Sequence, residues 1–216
     1  QFTILNAKKN TAILLNCEKL ESKFIKLEFK EYKLLLLDTN VKHNLANTEY
    51  NQRVSECKES LQIINRLCKK NYANLSQVNR LDLSSSKEKL GETLYKRASY
   101  ILNENQRVIN SVEFLENKKL KEFGQLMYES HFGLKNDYEV SCKELDFLVE
   151  YSMNYDQILG SRMMGGGFGG CTLSLIKESL IDKYIKEIKQ EYFSKFKRKL
   201  SPIIANLNEG IQISSN

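Results

Sequence analysis

Alternating apolar and polar side chains near the start of the chain predict strands. Residues 25–29 alternate with period two, as in a strand that buries one face. The run 34–37 consists of four leucines and is short enough for a strand buried on both faces. Residues 11–17 form a third candidate. The first forty residues are therefore expected to contribute strands.

The middle of the chain has its apolar residues at helical spacing instead. This spacing predicts a helix from 49 to about 70 and a longer one from about 90 to 117. The intervening residues 71–86 are read as a polar connection, and shorter helices are expected near 120–132 and 141–153.

Strand-like patterns return towards the carboxy terminus. Residues 171–176 alternate, an amphipathic helix starts near 180, and 202–207 and 210–213 are predicted as strands joined by a turn at 208–210. Strands at both ends with helices grouped between them predict an α+β fold, in which helices pack on an antiparallel sheet.

Half of the ten glycines lie within six residues, 165–170. Gly165, Gly167 and Gly170 match the dinucleotide fingerprint literally, but that site needs a helix directly after the glycines, and here a strand pattern follows. Glycine loses more backbone entropy on folding than any other residue, so the run predicts a loop with left-handed dihedrals that passes close to another group. Such a loop suits an anionic or polar ligand; a turn without a ligand is the alternative.

Composition excludes several classes of protein. The formal charge of +6 on 216 residues is spread among acidic side chains, which argues against a nucleic-acid partner. No apolar run reaches the roughly 18 residues of a spanning helix, so no membrane association is expected. The cysteines are odd in number and lack metal-site spacing, which predicts reduced core thiols in a cytoplasmic protein; they are Cys17, Cys57, Cys68, Cys142 and Cys171.

Residues 160–172 resemble the third conserved motif of the GHMP small-molecule kinases, in the form that galactokinases carry. Three further segments agree in family order: residues 1–2, the substrate-side segment 40–57, and the stretch 130–146 before the third motif. The resemblance implies one GHMP-kinase carboxy-terminal domain over 1–216, whose strand region 1–40 belongs to the interdomain sheet.

The same resemblance implies a chemistry. Galactokinases transfer the γ-phosphoryl group of ATP, with Mg²⁺, to the anomeric hydroxyl of α-D-galactose, which gives galactose 1-phosphate. Tyr50 matches the tyrosine that binds the sugar. The glycine loop would lie by the active-site cleft and border the substrate; it comprises Gly165, Gly166, Gly167, Phe168, Gly169 and Gly170.

The departures from the family pattern predict an incomplete site. The catalytic aspartate would immediately precede Gln1, and no segment matches the nucleotide-binding loop. We therefore expect a carboxy-terminal half that lacks its amino-terminal half, carries neither catalytic residue nor metal ligand, and is inactive alone. An N-acetylgalactosamine kinase, a galactose-sensing paralogue and a non-catalytic module from a truncated gene stay open. Arg162 could meet a phosphate or pair with a carboxylate, and His131 is expected to cap or pack a helix end.

Overall fold

The computed structural model of the chain describes residues 2, 6–41, 46–205 and 207, without the side chains of 46–48. Gln1, His43, the predicted turn at 208–210 and the predicted strand at 210–213 lie outside these residues.

The described residues form six strands and six α-helices. They are β1 (Thr11–Asn16), β2 (Glu21–Lys26), β3 (Tyr32–Asp38), α1 (Ala46–Cys68), α2 (Arg80–Ser85), α3 (Lys87–Glu116), α4 (Leu120–Asn136), α5 (Lys143–Ser152), β4 (Ile158–Met164), β5 (Cys171–Lys177), α6 (Ile181–Phe196) and β6 (Ser201–Ala205), with short 3-10 turns at Leu75–Gln77 and Glu178–Leu180.

Four of the strands form one antiparallel sheet in the order β4-β5-β3-β6. Leu35 and Leu37 face α5 and α6 in one core, whereas Leu175 on β5 packs with Met127 of α4 in another. Helices therefore cover both faces of the sheet, and the predicted α+β class is confirmed. Strands β1 and β2 pair only with each other in a separate hairpin.

Two local predictions were wrong. The supposed polar connection 71–86 contains a 3-10 turn and α2, because Asn74 and Asn79 cap these turns and Leu75 and Leu83 are buried against α1 and α3. Residues 27–29 are not part of a strand: β2 ends at Lys26, and Leu27 and Phe29 pack in the cluster of Met127 and Leu175 instead.

Sequence periodicity also missed β4, which enters the glycine loop. Its third residue, Gly160, lies against Gly124 of α4: a Cβ on Gly124 would meet the Leu159 carbonyl oxygen at 2.1 Å, and one on Gly160 would meet the Gly124 carbonyl oxygen at 2.2 Å. The backbones of α4 and β4 are thus in direct contact, and this contact sets the position of the strand that carries the loop.

The five cysteines are free thiols, as predicted, but none is fully buried. Cys17 is exposed, so its placement in the core was wrong, whereas Cys57, Cys68 and Cys142 are half-buried and pack against the hydrophobic core. Burial raises the pKa of Cys57, Cys142 and Cys171, which keeps these thiols protonated near neutral pH. Within the described part of the chain, no helix is both long and apolar enough to cross a membrane.

Candidate active-site wall

The glycine loop connects β4 to β5, and its backbone has the dihedrals predicted for it. Gly165, Gly167 and Gly170 have φ values of 92°, 90° and 80°, and Phe168 adopts the left-handed conformation at 58°. A strand follows the loop, so the helix that a dinucleotide fingerprint requires is not there.

One half of the loop is held tightly and the other half is open. A Cβ on Gly167 would lie 2.0 Å from the Val140 carbonyl oxygen, and one on Gly169 would lie 3.0 Å from that of Val41. A Cβ on Gly165 or Gly166 would meet nothing within 4 Å. The predicted close approach is therefore present at Gly167 and Gly169. The side of the loop at Gly165 and Gly166 is open and has room for a ligand.

The end of β3 supports the far side of the loop. The Thr39 amide and hydroxyl both donate to the Gly170 carbonyl, at 3.0 and 2.8 Å. The buried Tyr192 hydroxyl of α6 donates to the Thr39 carbonyl at 2.8 Å. Thr39 thus connects the loop to the hydrophobic core through hydrogen bonds of its amide, hydroxyl and carbonyl groups.

The near side of the loop rests on residues 137–140, which we call the supporting segment. The Phe168 amide donates to the Val140 carbonyl at 2.7 Å, and the Phe168 ring packs in the same hydrophobic cluster as Val140, Tyr138 and Tyr100. The loop residue in the left-handed conformation is therefore held by both its amide and its ring.

Two buried arginines bind the other three carbonyls of the supporting segment, those of residues 137–139. Arg97 donates from Nη1 to the Asp137 carbonyl. Arg53 donates from Nε to the Tyr138 carbonyl at 2.7 Å and from Nη2 to the Glu139 carbonyl at 3.1 Å. Four consecutive carbonyls, 137–140, are thus each paired with a specific donor.

Carboxylates balance the charge of these arginines. Glu56 Oε2 lies 2.7 Å from Arg97 Nε and 3.2 Å from Arg53 Nη1, and Glu139 Oε2 lies 2.7 Å from Arg97 Nη2. Burial alone would raise the pKa of Glu56, but the two guanidinium groups outweigh it and lower that pKa. The hydrogen bond from Arg97 lowers the pKa of Glu139. Both carboxylates are ionised at neutral pH; we call Arg53, Glu56, Arg97 and Glu139 the arginine network.

Tyr50 lies one turn before Arg53 on α1, with 51% of its surface exposed. On the same helix, Arg53 donates to the Tyr138 and Glu139 carbonyls of the supporting segment. The helix of Tyr50 and the glycine loop therefore both meet residues 137–140, although 115 positions separate them from each other in the sequence.

His131 does more than pack a helix end, because it is completely buried within α4. Its Nδ1 accepts the Met163 amide at 3.3 Å, and its Nε2 lies 3.3 Å from Asp146 Oδ1. As the acceptor of the Met163 amide, Nδ1 carries no proton. Arg162 meets a carboxylate: its Nη1 lies 3.3 Å from Glu104 Oε1.

Sequence reasoning missed Arg97 and Glu56 as parts of this site. The one available signal was a charged side chain next to the buried residue Ala98 on α3. The partners of Arg97 could not be inferred, since they are the carboxylates of Glu56 and Glu139 and the Asp137 carbonyl, which lie 40 to 42 positions away in the sequence. Within residues 6–41 and 46–205, no group of three or more His, Cys, Asp or Glu side chains converges to hold a metal ion. These residues do not fit a Mg²⁺ site, and we assign them no step through the ion.

The sequence of this chain is similar to those of known proteins. The family model for the GHMP kinase C-terminal region matches residues 111–195. Galactokinases of Clostridium acetobutylicum and Thermotoga neapolitana are 40% and 38% identical over 97% and 98% of this chain. The chain spans 54% and 58% of their lengths, about half of each relative.

Solved structures agree with the sequence comparison. Lactococcus lactis galactokinase complexed with galactose superposes with a TM-score of 0.89 at 30% identity, over 97% of this chain and 54% of that one. Mevalonate kinase of L. major, in complex with R-mevalonate, shares the fold with a TM-score of 0.53 at 21% identity, over 87% of this chain and 48% of that one. The chain belongs to the GHMP kinase family, as a carboxy-terminal region of the kind that galactokinases carry.

Proposed function

We propose that this chain forms the carboxy-terminal half of an enzyme that phosphorylates α-D-galactose at its anomeric hydroxyl, with ATP as the phosphoryl donor. The observation that carries the proposal is the likeness to a galactose-bound galactokinase over 97% of the chain. In the reaction, the anomeric oxygen loses its proton and bonds to the γ-phosphorus, while the bond from that phosphorus to the β-γ bridging oxygen breaks and ADP leaves. Such a transfer depends on positioning and on stabilisation of charge.

In this proposal the chain supplies one wall of the active site. Tyr50 hydrogen-bonds the sugar through its phenol, and the open half of the glycine loop borders the substrate and supports the nucleotide-binding loop. Residues 1–216 act as a single GHMP-kinase carboxy-terminal domain, with 1–40 contributing to the sheet between the two halves. The proton acceptor, the ligands of Mg²⁺ and the groups that cradle ATP belong to an amino-terminal half.

The proposal is tested with the complete protein that includes this chain. Incubation with Mg-ATP and galactose should yield galactose 1-phosphate and ADP in equal amounts, measured by anion-exchange chromatography. N-acetylgalactosamine serves as the competing substrate. Turnover of that sugar in place of galactose would assign the other specificity, and binding of galactose without turnover would indicate a sensor.

Residues 1–216 alone are expected to form no galactose 1-phosphate, because the groups that accept the proton and hold ATP are assigned to the other half. The measurement is the same product assay on purified chain, with the complete protein as positive control. Any turnover above the rate without protein would contradict the assignment of these groups.

Tyr50→Phe in the complete protein is expected to raise the dissociation constant for galactose by about tenfold, since one neutral hydrogen bond contributes about 0.5–1.5 kcal/mol. The dissociation constant for ATP should change much less. Calorimetric titration with each ligand measures both. Tyr95→Phe removes a phenol hydroxyl from the half-buried face of α3 and is the control; an unchanged galactose affinity in Tyr50→Phe would exclude the role of Tyr50.

A further inference from the structure

Glu139 lies in the left-handed region, with φ at 54°, although it is not a glycine. That conformation costs a residue with a Cβ roughly 1–2 kcal/mol and persists only where surrounding contacts hold it. Here Arg53 binds its carbonyl and Arg97 binds its carboxylate. The next carbonyl along, that of Val140, then points at the Phe168 amide of the glycine loop.

We propose that Arg97 and Glu139 are positioning residues for the glycine loop: by holding the supporting segment in this strained form, they aim the Val140 carbonyl at Phe168 and so select one conformation of the loop. The inference rests on the proposed function and deepens it. Neither side chain touches substrate in this proposal; both act through the backbone of the supporting segment, residues 137–140.

The hydrogen bonds from Arg53 and Arg97 are directed as expected of groups that position a backbone segment, and not only of groups that stabilise the fold. A buried ion pair is weak evidence for stability, because desolvation of two charges offsets much of their attraction. Arg53 and Arg97 are only 5% and 2% exposed, yet their remaining donors go to successive carbonyls of one short segment. Charge-assisted bonds of this kind have defined geometry, which suits them to fix a backbone. The arginine network also includes Glu56, which follows Tyr50 on α1 by about 1.7 turns. The network therefore connects the helix of Tyr50 and the glycine loop to the same supporting segment.

The test compares Glu139→Gln and Arg97→Lys with Glu116→Gln in the complete protein. Glu139 and Glu116 are closely matched, with side chains 50% and 45% exposed, and each accepts a salt bridge at 2.7 and 2.6 Å. Glu116 pairs with Lys23 on the hairpin and has no contact with the supporting segment. Glu139→Gln is half-exposed and is expected to fold even if Arg97→Lys does not.

The first measurement is amide-resolved hydrogen exchange without substrates. In Glu139→Gln and Arg97→Lys, exchange of the Phe168 amide should accelerate by about tenfold, since a charge-assisted contact is lost. Exchange at Tyr184 and Ile188 in the core should not change, and Glu116→Gln should match the parent at all three amides. Unchanged exchange at Phe168 would overturn the proposal, and so would an equal acceleration at Phe168 and in the core, because that reports only lost stability.

The second measurement separates this inference from the proposed function. In Glu139→Gln, kcat for galactose phosphorylation should fall by about tenfold while KM for galactose changes little, because Tyr50 and Arg53 are retained. A KM effect with unchanged kcat would overturn the positioning of the loop. If the parent protein does not phosphorylate galactose, the proposed function fails, and the exchange of the Phe168 amide still decides the inference.

Discussion

Gly124→Ala is expected to lower the free energy of unfolding by about 2–3 kcal/mol, the upper part of the range found when atoms are forced into packed space. The new Cβ would lie 2.1 Å from the Leu159 carbonyl oxygen, so the backbones of α4 and β4 would have to separate. Away from that contact, alanine in a helix interior stabilises by about 0.8–1.0 kcal/mol relative to glycine. A loss of stability in Gly124→Ala therefore indicates the contact between α4 and β4, whereas a gain indicates an ordinary helix position.

Thermal unfolding followed by circular dichroism measures this effect. For a chain of this size, a loss of that order lowers Tm by roughly 5–10 °C. Gln125→Ala, an exposed neighbour on α4, is the control and should stay within about 0.5 kcal/mol of the parent. Equal or greater stability of Gly124→Ala would show that the helix and strand do not touch at Gly124.

This contact also explains why β4 was not predicted from the sequence. Strands β1, β3 and β5 carry runs or alternations of apolar side chains, and those patterns identify them. In β4 the residues at the centre are Gly160, Ser161 and Arg162, which break the apolar pattern. Gly160 is there because a backbone passes close by, and a missing side chain leaves no periodic signal. Helices α1 and α3 were predicted well because packing of their apolar faces determines both their pattern and their extent.

The candidate site, too, was predicted only in part from the sequence. The cost of five crowded glycines was enough to predict left-handed dihedrals and a close approach, and Gly167 shows both. The group approached, the Val140 carbonyl, could not be predicted, because every residue has a carbonyl. The same holds for the backbone partners of Arg53 and Arg97, which are carbonyl oxygens 40 to 86 positions away. Sequence motifs marked the segments of the site, and only the fold shows how they support each other.

Gly167→Ala is expected to reduce kcat/KM for galactose phosphorylation in the complete protein by about 100-fold, the scale of loss for a displacement of roughly 1 Å at an active site. Its Cβ would lie 2.0 Å from the Val140 carbonyl oxygen at a φ of 90°, so alanine meets both a backbone clash and an unfavourable dihedral. The loop must move away, and the hydrogen bond from Phe168 to Val140 must lengthen or break.

Exchange of the Phe168 amide and thermal unfolding, measured beside the kinetics, separate a displaced loop from an unfolded protein. Gly166→Ala is the matched control for folding, because its Cβ would meet nothing within 4 Å and its φ is outside the restricted region. It should leave Tm and the exchange of Phe168 at the parent values. Parent-like exchange and kcat/KM in Gly167→Ala would mean that the loop tolerates a side chain against Val140. The supporting segment would then not determine the shape of this wall of the site.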